Sequence, residues 1–301
     1  MIYEYAIEPE LVAQLHQSFN YGTFFTGFAV NENRRVSRYP KKWAKMVWQS
    51  FSSESQMEKK RLEELLIRLQ ANMIKRKDLR WRSEDGSWLD NALLENERHP
   101  FHRIIARSNP GNNPAVMIDE ELLDESSSGW MVPHGLVVKR NPEEMSAAVR
   151  PMLACCRWVR FVDPYFSQCK PSHKKTFAAW LKIIGKERPV GKIEKIEIHT
   201  RGNGATIEHI TNFFQPVIPP GISVTIYQWE QKTQGEELHN RYILTDLGGV
   251  AFGHGLDTGS SGGSDDINLL DTKQYALRCR QYSPDSTTFN PNGNPITIKA
   301  M

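Results

Sequence analysis

The chain has 301 residues, of which 39% are hydrophobic and 24% charged, enough apolar content for one large domain or two modest ones. No apolar run approaches the ~20 residues that a membrane-spanning helix needs, and the acid-bearing first residues do not resemble a secretory leader. The net charge is only +3, but it is distributed unevenly along the chain.

Residues 1–140 are predicted to form an N-terminal α+β region. Its predicted helices span 9–17, 40–50 and 55–77, and its predicted strands span 21–28 and 101–106. The helix at 55–77 has apolar residues at three- and four-residue steps, which is typical of core or dimer packing. Residues 119–128 are acidic and are predicted to form a surface helix and loop that could shield a basic surface.

The basic residues are concentrated between Arg34 and Arg82. This block holds 15 Lys and Arg against 5 Asp and Glu, whereas the rest of the chain holds 23 against 30. Such a block favours a polyanionic partner, most simply nucleic acid and otherwise an anionic lipid surface. Cations interleaved with aromatic rings suit a surface that follows a nucleic-acid backbone, although the tryptophans could equally be core residues. The candidate nucleic-acid-binding residues are Arg34, Arg35, Arg38, Lys41, Lys42, Trp43 and Lys45.

Residues 141–301 are predicted to form a second, catalytic domain. Asn141 and Pro142 are a typical helix cap and first helical residue. The predicted helices span 141–156, 172–184 and 205–214, with Gly185 as a stop. The predicted strands span 158–163, 192–199, 222–228, 241–245, 250–252 and 273–281, and residues 282–301 form a tail. Alternating strands and helices predict an α/β fold with a largely parallel mixed sheet flanked by helices.

Functional residues of such sheets lie at the carboxyl ends of strands, where Asp163, Tyr165, His199 and Arg201 fall. Asp163 could instead form a turn with the following proline, and His199 could be a structural histidine. His199 and Arg201 are therefore minor candidates.

The four cysteines include no CxxC pair, which favours reduced thiols and a cytoplasmic location. Cys169 and His173 have a spacing that a metal could use on a helix, but no second pair accompanies them. We therefore expect no metal and no other cofactor.

The stretch from His239 to Asp257 contains the pattern HxRxxxxD, formed by His239, Arg241 and Asp246. Side chains alternate along a strand, so a strand through 241–245 would place His239 and Arg241 on one face. An imidazole beside a guanidinium suits a phosphate ester, because one group can attack phosphorus or move a proton while the other holds the oxygens.

The stretch resembles the signature of the phospholipase D superfamily, HxKxxxxD followed after six residues by GSxxN. His239, Asp246, Gly253 and the position of Asp257 match this layout. Arg241 stands in the lysine position, His254 in the serine position, and Asp257 in the asparagine position. An arginine in the lysine position can hold phosphate as a planar fork, whereas a lysine is a compact charge. The part from 159 to 257 resembles one lobe of the phospholipase D sandwich, with an early strand that ends in Asp-Pro-Tyr-Phe.

The resemblance implies metal-independent phosphodiester cleavage in which one histidine forms a phosphohistidine and a second protonates the leaving oxygen. One motif supplies one histidine, so the resemblance favours a homodimer whose two-fold axis passes through the site; His254 or His199 could otherwise serve within one chain. The basic block favours a nuclease, and the resemblance implies the context of a bacterial antiviral defence effector. A non-catalytic module that binds nucleic acid or phosphoinositide, and a phospholipase, are the alternatives. The candidate catalytic residues are His239, Arg241, Asp246, Asp257, His254 and Asp163.

Overall fold

The computed structural model describes residues 1–15, 21–28, 32–118, 129–166, 170–202, 204–260 and 262–300. These residues form two compact units. The N-terminal unit comprises Ile2–Pro133 with Pro189–Gly191, and the C-terminal unit comprises Met1, His134–Arg188 and Lys192–Met301. Within the described ranges no helix is both long enough and apolar enough to cross a membrane. The predicted acidic surface segment 119–128 and Cys169 lie outside the described residues.

The N-terminal unit is built on a four-stranded parallel sheet in the order β2-β1-β3-β4. Its strands are β1 (Tyr3–Ile7), β2 (Arg34–Val36), β3 (Arg103–Ala106) and β4 (Val116–Ile118). Its helices are α1 (Pro9–Gln14), α2 (Tyr21–Gly27), α3 (Trp43–Ser50), α4 (Gln56–Ala71) and α5 (Trp88–Arg98). The predicted α+β arrangement differs from this all-parallel sheet: helices connect β1 to β2 and β2 to β3, whereas a loop without a helix connects β3 to β4.

Two predicted elements of this unit differ from the structure. The segment predicted as a strand at 21–28 forms helix α2, where Phe24 and Phe28, four residues apart, are both buried with ring centroids 4.9 Å apart. The helix predicted to run to residue 77 begins after the cap Ser55 and ends at Ala71. Beyond it, Ile74 donates its backbone NH to Val36, so the segment follows the sheet and no longer coils.

A buried ion-pair network stabilises the interior of the N-terminal unit. The guanidinium of Arg76 contacts both carboxylate oxygens of Glu4 at 2.9 Å and one oxygen of Glu95 at 2.9 Å. It also donates to the carbonyl of His99 and lies 4.0 Å from the centroid of the Phe101 ring. Arg76 is 1% exposed, so its charge depends on these partners for solvation.

The C-terminal unit contains a nine-stranded mixed sheet in the order β12-β8-β7-β6-β9-β10-β11-β5, with β13 also paired to β8. Its strands are β5 (Gly135–Lys139), β6 (Trp158–Val162), β7 (Lys195–Arg201), β8 (Ser223–Glu230), β9 (Arg241–Thr245), β10 (Gly248–Phe252), β11 (Ser264–Leu269), β12 (Asn290–Pro291) and β13 (Ile296–Lys299). Its helices are α6 (Pro142–Cys155), α7 (Pro171–Lys186), α8 (Ile207–Phe214) and α9 (Thr272–Gln281).

The mixed α/β fold agrees with the prediction, but the sheet is not largely parallel. Strands β6, β7 and β8 run parallel, whereas β9, β10, β11 and β5 join through antiparallel pairs. The physical reason is connection length: helices separate the parallel strands, while a tight turn joins β9 to β10.

Three further predictions for this unit are wrong. Residues predicted as the strand 273–281 form helix α9, which starts with a capping box between Asp271 and Gln274. The predicted tail contains strands β12 and β13, both paired with β8. Gly185 lies inside α7 and does not end it.

Helices cover both faces of this sheet. On one face, Phe161 of β6 packs against Phe177 and Trp180 of α7, with the Trp180 ring stacked at 5.3 Å. On the other face, Tyr242 and Leu244 of β9 form a buried cluster that includes residues beside and within α9. The sheet ends therefore remain the places where polar side chains can reach solvent.

Candidate active site

Most of the candidate catalytic residues lie at one end of the C-terminal sheet. Strands β6 and β7 end there, and the antiparallel strand β9 begins there. Arg241 opens β9 opposite Phe252, the last residue of β10, so the chain leaves β10 toward His254 beside the point where it enters β9 from His239. The topology thus brings the two ends of the stretch 239–257 to the same edge.

His239 is the exposed centre of a small cluster at this edge. Its Nδ1 lies 2.8 Å from the hydroxyl of Tyr165, and the two rings meet edge to face. The guanidinium of Arg241 lies 4.9 Å from the centroid of the Tyr165 ring, and that of Arg201 lies 5.8 Å from it. Tyr165 therefore orients the imidazole and gathers two cations around it.

Arg201 and Arg241 form no ion pair with any described residue. Arg201 donates to the carbonyl of Leu238, the residue before His239. The Nε of Arg241 is buried and has no hydrogen-bond partner in the described part of the chain. A buried donor without a partner is costly, and an anionic ligand would satisfy it.

Asp163 holds this edge together and is not open to a substrate. Asp163 is 1% exposed, and its side chain accepts from the backbone NH of Tyr165 and of Leu256, each at 2.9 Å. Nε2 of His173 lies 3.7 Å from the same carboxylate. We predicted Asp163 as catalytic, but its contacts make it the tie between the turn after β6 and the loop after β10.

Asp257 lies in a polar group on the loop after β10. Its Oδ1 lies 2.5 Å from Nη2 of Arg140, which follows β5, and its Oδ2 lies 3.5 Å from the hydroxyl of Ser172 at the start of α7. Because its charge is already paired, Asp257 is better suited to positioning the loop than to proton transfer.

His254, the residue in the serine position, is exposed and is held by a buried acid. Its backbone NH donates to Oδ1 of Asp265 at 3.0 Å, and its Nδ1 lies 3.3 Å from the same oxygen. Asp265 is 2% exposed, and its Oδ2 has no partner among the described residues. A Cβ at Gly253 would lie 2.9 Å from Asp265 Oδ1, so only glycine lets the chain pass this close.

Asp246, predicted as the third member of the motif, lies at the opposite end of β9. Strand β9 runs antiparallel to β6, so its far end meets the start of β6. There Oδ2 of Asp246 accepts from Nε of Arg157 at 2.9 Å and Oδ1 accepts from the Arg157 backbone NH at 2.7 Å. The length of β9 therefore separates Asp246 from the cluster, and the structure does not bring this carboxylate to His239.

His199, a minor candidate, is fully enclosed on one sheet face. Its Nδ1 accepts from Trp229 Nε1 at 3.0 Å, and its ring lies nearly parallel to those of Tyr227 and Trp229, with centroids 5.0 and 5.9 Å away. Burial lowers the pKa of His199, an effect that the nearby Glu197 carboxylate opposes only in part. Burial also raises the pKa of Glu197, but His199 and the Arg160 guanidinium outweigh it and bring that pKa to about 2. A neutral, enclosed His199 cannot serve as an acid for an external substrate.

The candidate nucleic-acid-binding residues divide into buried and exposed members. Trp43 is fully buried and donates to the carbonyl of Ile7, so it cannot stack on a base. Arg34 is also buried and donates to the carbonyl of Trp130, and Arg35 is buried as well. These three predictions are wrong because the side chains of Arg34 and Arg35 on β2, and that of Trp43, are buried inside the N-terminal unit. The remaining members line two cavities in the N-terminal unit: Arg38, Lys41, Lys42 and Lys45.

Sequence reasoning missed Arg140 and Asp265 as site residues. Arg140 follows β5 and Asp265 lies within β11, two strands that had not been predicted and that pair with each other. The alternating burial of β11, with Asp265 and Ile267 inward, was a readable signal in its residue pattern. In the described ranges, His, Cys, Asp and Glu form no group of three or more that could hold a metal ion.

Comparison with known proteins gives no family for this chain: no family model matches it, and a search of curated proteins finds no match.

Proposed function

We propose that the C-terminal unit is a phospholipase D-like sandwich with phosphodiesterase activity, and that the chain is most simply a nuclease. The observation that carries the proposal is the cluster around Tyr165, whose ring contacts exposed His239 and two arginines that have no ion pair in the described structure. A nucleophile beside unpaired cations suits the attack on a phosphate diester, because the cations can hold the oxygens as charge develops.

In the proposed reaction, Nδ1 of His239 keeps its hydrogen bond with Tyr165 and Nε2 supplies the electron pair. Nε2 attacks phosphorus, an N–P bond forms, and the bond to the leaving oxygen breaks as a second histidine protonates that oxygen. The same second histidine then takes a proton from water, whose oxygen replaces nitrogen on phosphorus and restores His239. Arg201 and Arg241 bind the phosphoryl oxygens throughout.

The second histidine has two candidate sources. A second copy of the chain could bring another His239 across a two-fold axis, as the resemblance implies. His254 could instead serve within one chain, and its contact with Asp265 supports this source because a carboxylate fixes the tautomer and orientation of an imidazole. Size-exclusion chromatography with light scattering, combined with His254→Ala, separates the two: an active monomer that loses activity with His254→Ala uses the internal histidine.

The test is a cleavage assay on labelled single-stranded DNA, duplex DNA and RNA in the presence of EDTA. We expect the wild type to cut in EDTA and His239→Ala to lose at least about 1,000-fold in rate. His134→Ala is the matched control, since His134 is an exposed histidine at the other end of the sheet, before β5. Cleavage by His239→Ala at the wild-type rate would overturn the proposal.

Arg241 in the lysine position favours a second candidate function, a module that binds phosphodiesters without cutting them. Arginine holds phosphate as a planar fork and cannot give up a proton, whereas lysine is a compact charge. Binding of any of the three substrates with no cleavage over a full range of pH would support this candidate over the nuclease.

A further inference from the structure

The N-terminal unit contains a basic groove that the site around His239 does not account for. Two cavities of about 570 and 540 Å³ adjoin there, because Lys41, Lys42 and Lys45 line both. Both volumes fall in the range of about 300–1,000 Å³ that is typical of ligand sites. We define the basic groove by its five cations: Arg38, Lys41, Lys42, Lys45 and Lys75.

No acid lines either cavity of the basic groove, and none of its five cations forms an ion pair with a described residue. By contrast, two other cations of the same unit are paired, Arg76 with Glu4 and Arg107 with Glu8. Within the groove, Nε of Arg38 is buried and has no hydrogen-bond partner in the described structure. An anion would satisfy this buried guanidinium nitrogen and neutralise the four unpaired lysines beside it.

The groove also has an apolar wall. Met46, Leu79 and Trp81 line the larger cavity beside the lysines. Trp48 is 42% exposed and lies three residues after Lys45 on α3, so both side chains share one face of the helix. Cations interleaved with accessible aromatic rings are the arrangement that single-stranded nucleic acids use, with phosphates on the cations and bases against the rings.

We propose that the basic groove binds single-stranded nucleic acid. If the C-terminal unit is a phosphodiesterase, as proposed above, single-stranded nucleic acid is then its substrate class. The lysines neutralise successive phosphates, Arg38 donates to one phosphate oxygen, and Trp48 stacks on a base. An anionic lipid surface fits the observations less well, because the cations line concave cavities and do not form a flat exposed face.

The test measures binding apart from cleavage, in full-length chain carrying His239→Ala. Fluorescence anisotropy with a labelled 20-nucleotide oligothymidine gives Kd at several salt concentrations. We expect Lys41→Gln with Lys45→Gln to weaken binding about 10-fold or more and to reduce the slope of log K against log salt by about 1.4, which is two phosphate contacts. Trp48→Ala should weaken binding about fivefold or more and leave the salt slope unchanged.

The matched control is Lys59→Gln with Lys60→Gln, which removes the same charge from exposed positions on α4 outside both cavities. Equal weakening by the two double variants would overturn the groove, since net charge alone would explain it. Binding to phosphatidylserine vesicles with none to the oligonucleotide would overturn the nucleic-acid assignment. Cleavage that persists in His239→Ala would count against the proposed function alone, because the anisotropy result for the groove would stand.

Discussion

Two arginine environments in this protein show how the same side chain is used in opposite ways. In the interior of the N-terminal unit, Arg76 faces two carboxylates and a carbonyl, and little of its charge is left over. At the sheet end of the C-terminal unit, Arg241 and Arg201 face an aromatic ring and no carboxylate among the described residues. The first environment stabilises the fold, whereas the second keeps its positive charge for a ligand.

Substitution of Arg76 should produce the largest change in stability. Arg76→Met leaves Glu4 and Glu95 as buried charges without their cation, and we expect a loss of about 3–5 kcal/mol in unfolding free energy. Urea denaturation followed by tryptophan fluorescence measures it, because five of the eight tryptophans lie in this unit. Arg107→Gln, which removes a 43% exposed partner of Glu8, is the control and should cost no more than about 1 kcal/mol. Equal costs for the two would show that Arg76 is not specially placed.

Arg241 should show the opposite profile, a loss of activity with no loss of stability. Arg241→Gln removes a charge that would hold phosphoryl oxygens, and we expect a fall of about 100- to 1,000-fold in kcat. Arg241→Lys keeps the charge and should recover part of that rate. Thermal unfolding of both variants should match the wild type, since no ion pair is broken. If Arg241→Gln instead lowers Tm while the folded protein keeps the wild-type kcat, Arg241 stabilises the fold, as Arg76 does, and does not act on substrate.

The histidines extend the same contrast to pH. The pKa of His199 is lowered mainly by burial, so its contribution to stability is fully present above about pH 6.5 and is lost as pH falls below it. Glu197, Arg160 and Lys195 are the charged groups that act on it. His199→Gln cannot take up this proton, so the gap in Tm between wild type and variant should narrow from pH 8 to pH 5. A gap that widens toward pH 5 would mean that His199 is protonated in the folded protein.

Local signals in the sequence were enough for part of the fold. The Asn141–Pro142 start of α6 is confirmed, because capping depends on a few adjacent residues: the Asn141 side chain accepts from Glu144. Strands β6 to β10 were found from their apolar runs, and the strand-end rule found Asp163 and Tyr165. Strands β5, β12 and β13 were missed because each is defined by a partner strand that is distant in the sequence.

The site was predictable where one stretch of sequence carries it and hidden where pairing assembles it. His239 and Arg241 are two residues apart, and strand alternation relates them directly. Arg140 reaches Asp257, and Asp265 reaches His254, across separations that no local pattern encodes. The same limit explains the error at Trp43, since whether a ring faces a core or a ligand depends on the elements packed around it.

Substitution of Asp246 should have the smallest effect on stability and activity. It also tests whether Asp246 differs in role from His239 and Arg241, the other members of the motif HxRxxxxD. Its carboxylate binds the backbone and side chain of Arg157, whose side chain is 66% exposed. Asp246→Ala should therefore cost about 1 kcal/mol in unfolding free energy, while phosphodiesterase activity at 25 °C stays at the wild-type level. Chemical denaturation and the EDTA cleavage assay, with His239→Ala alongside, measure the two quantities on the same preparations. If Asp246→Ala lost as much activity as His239→Ala, Asp246 would contribute to catalysis. Its effect would then have to be transmitted along β9 to the cluster around His239.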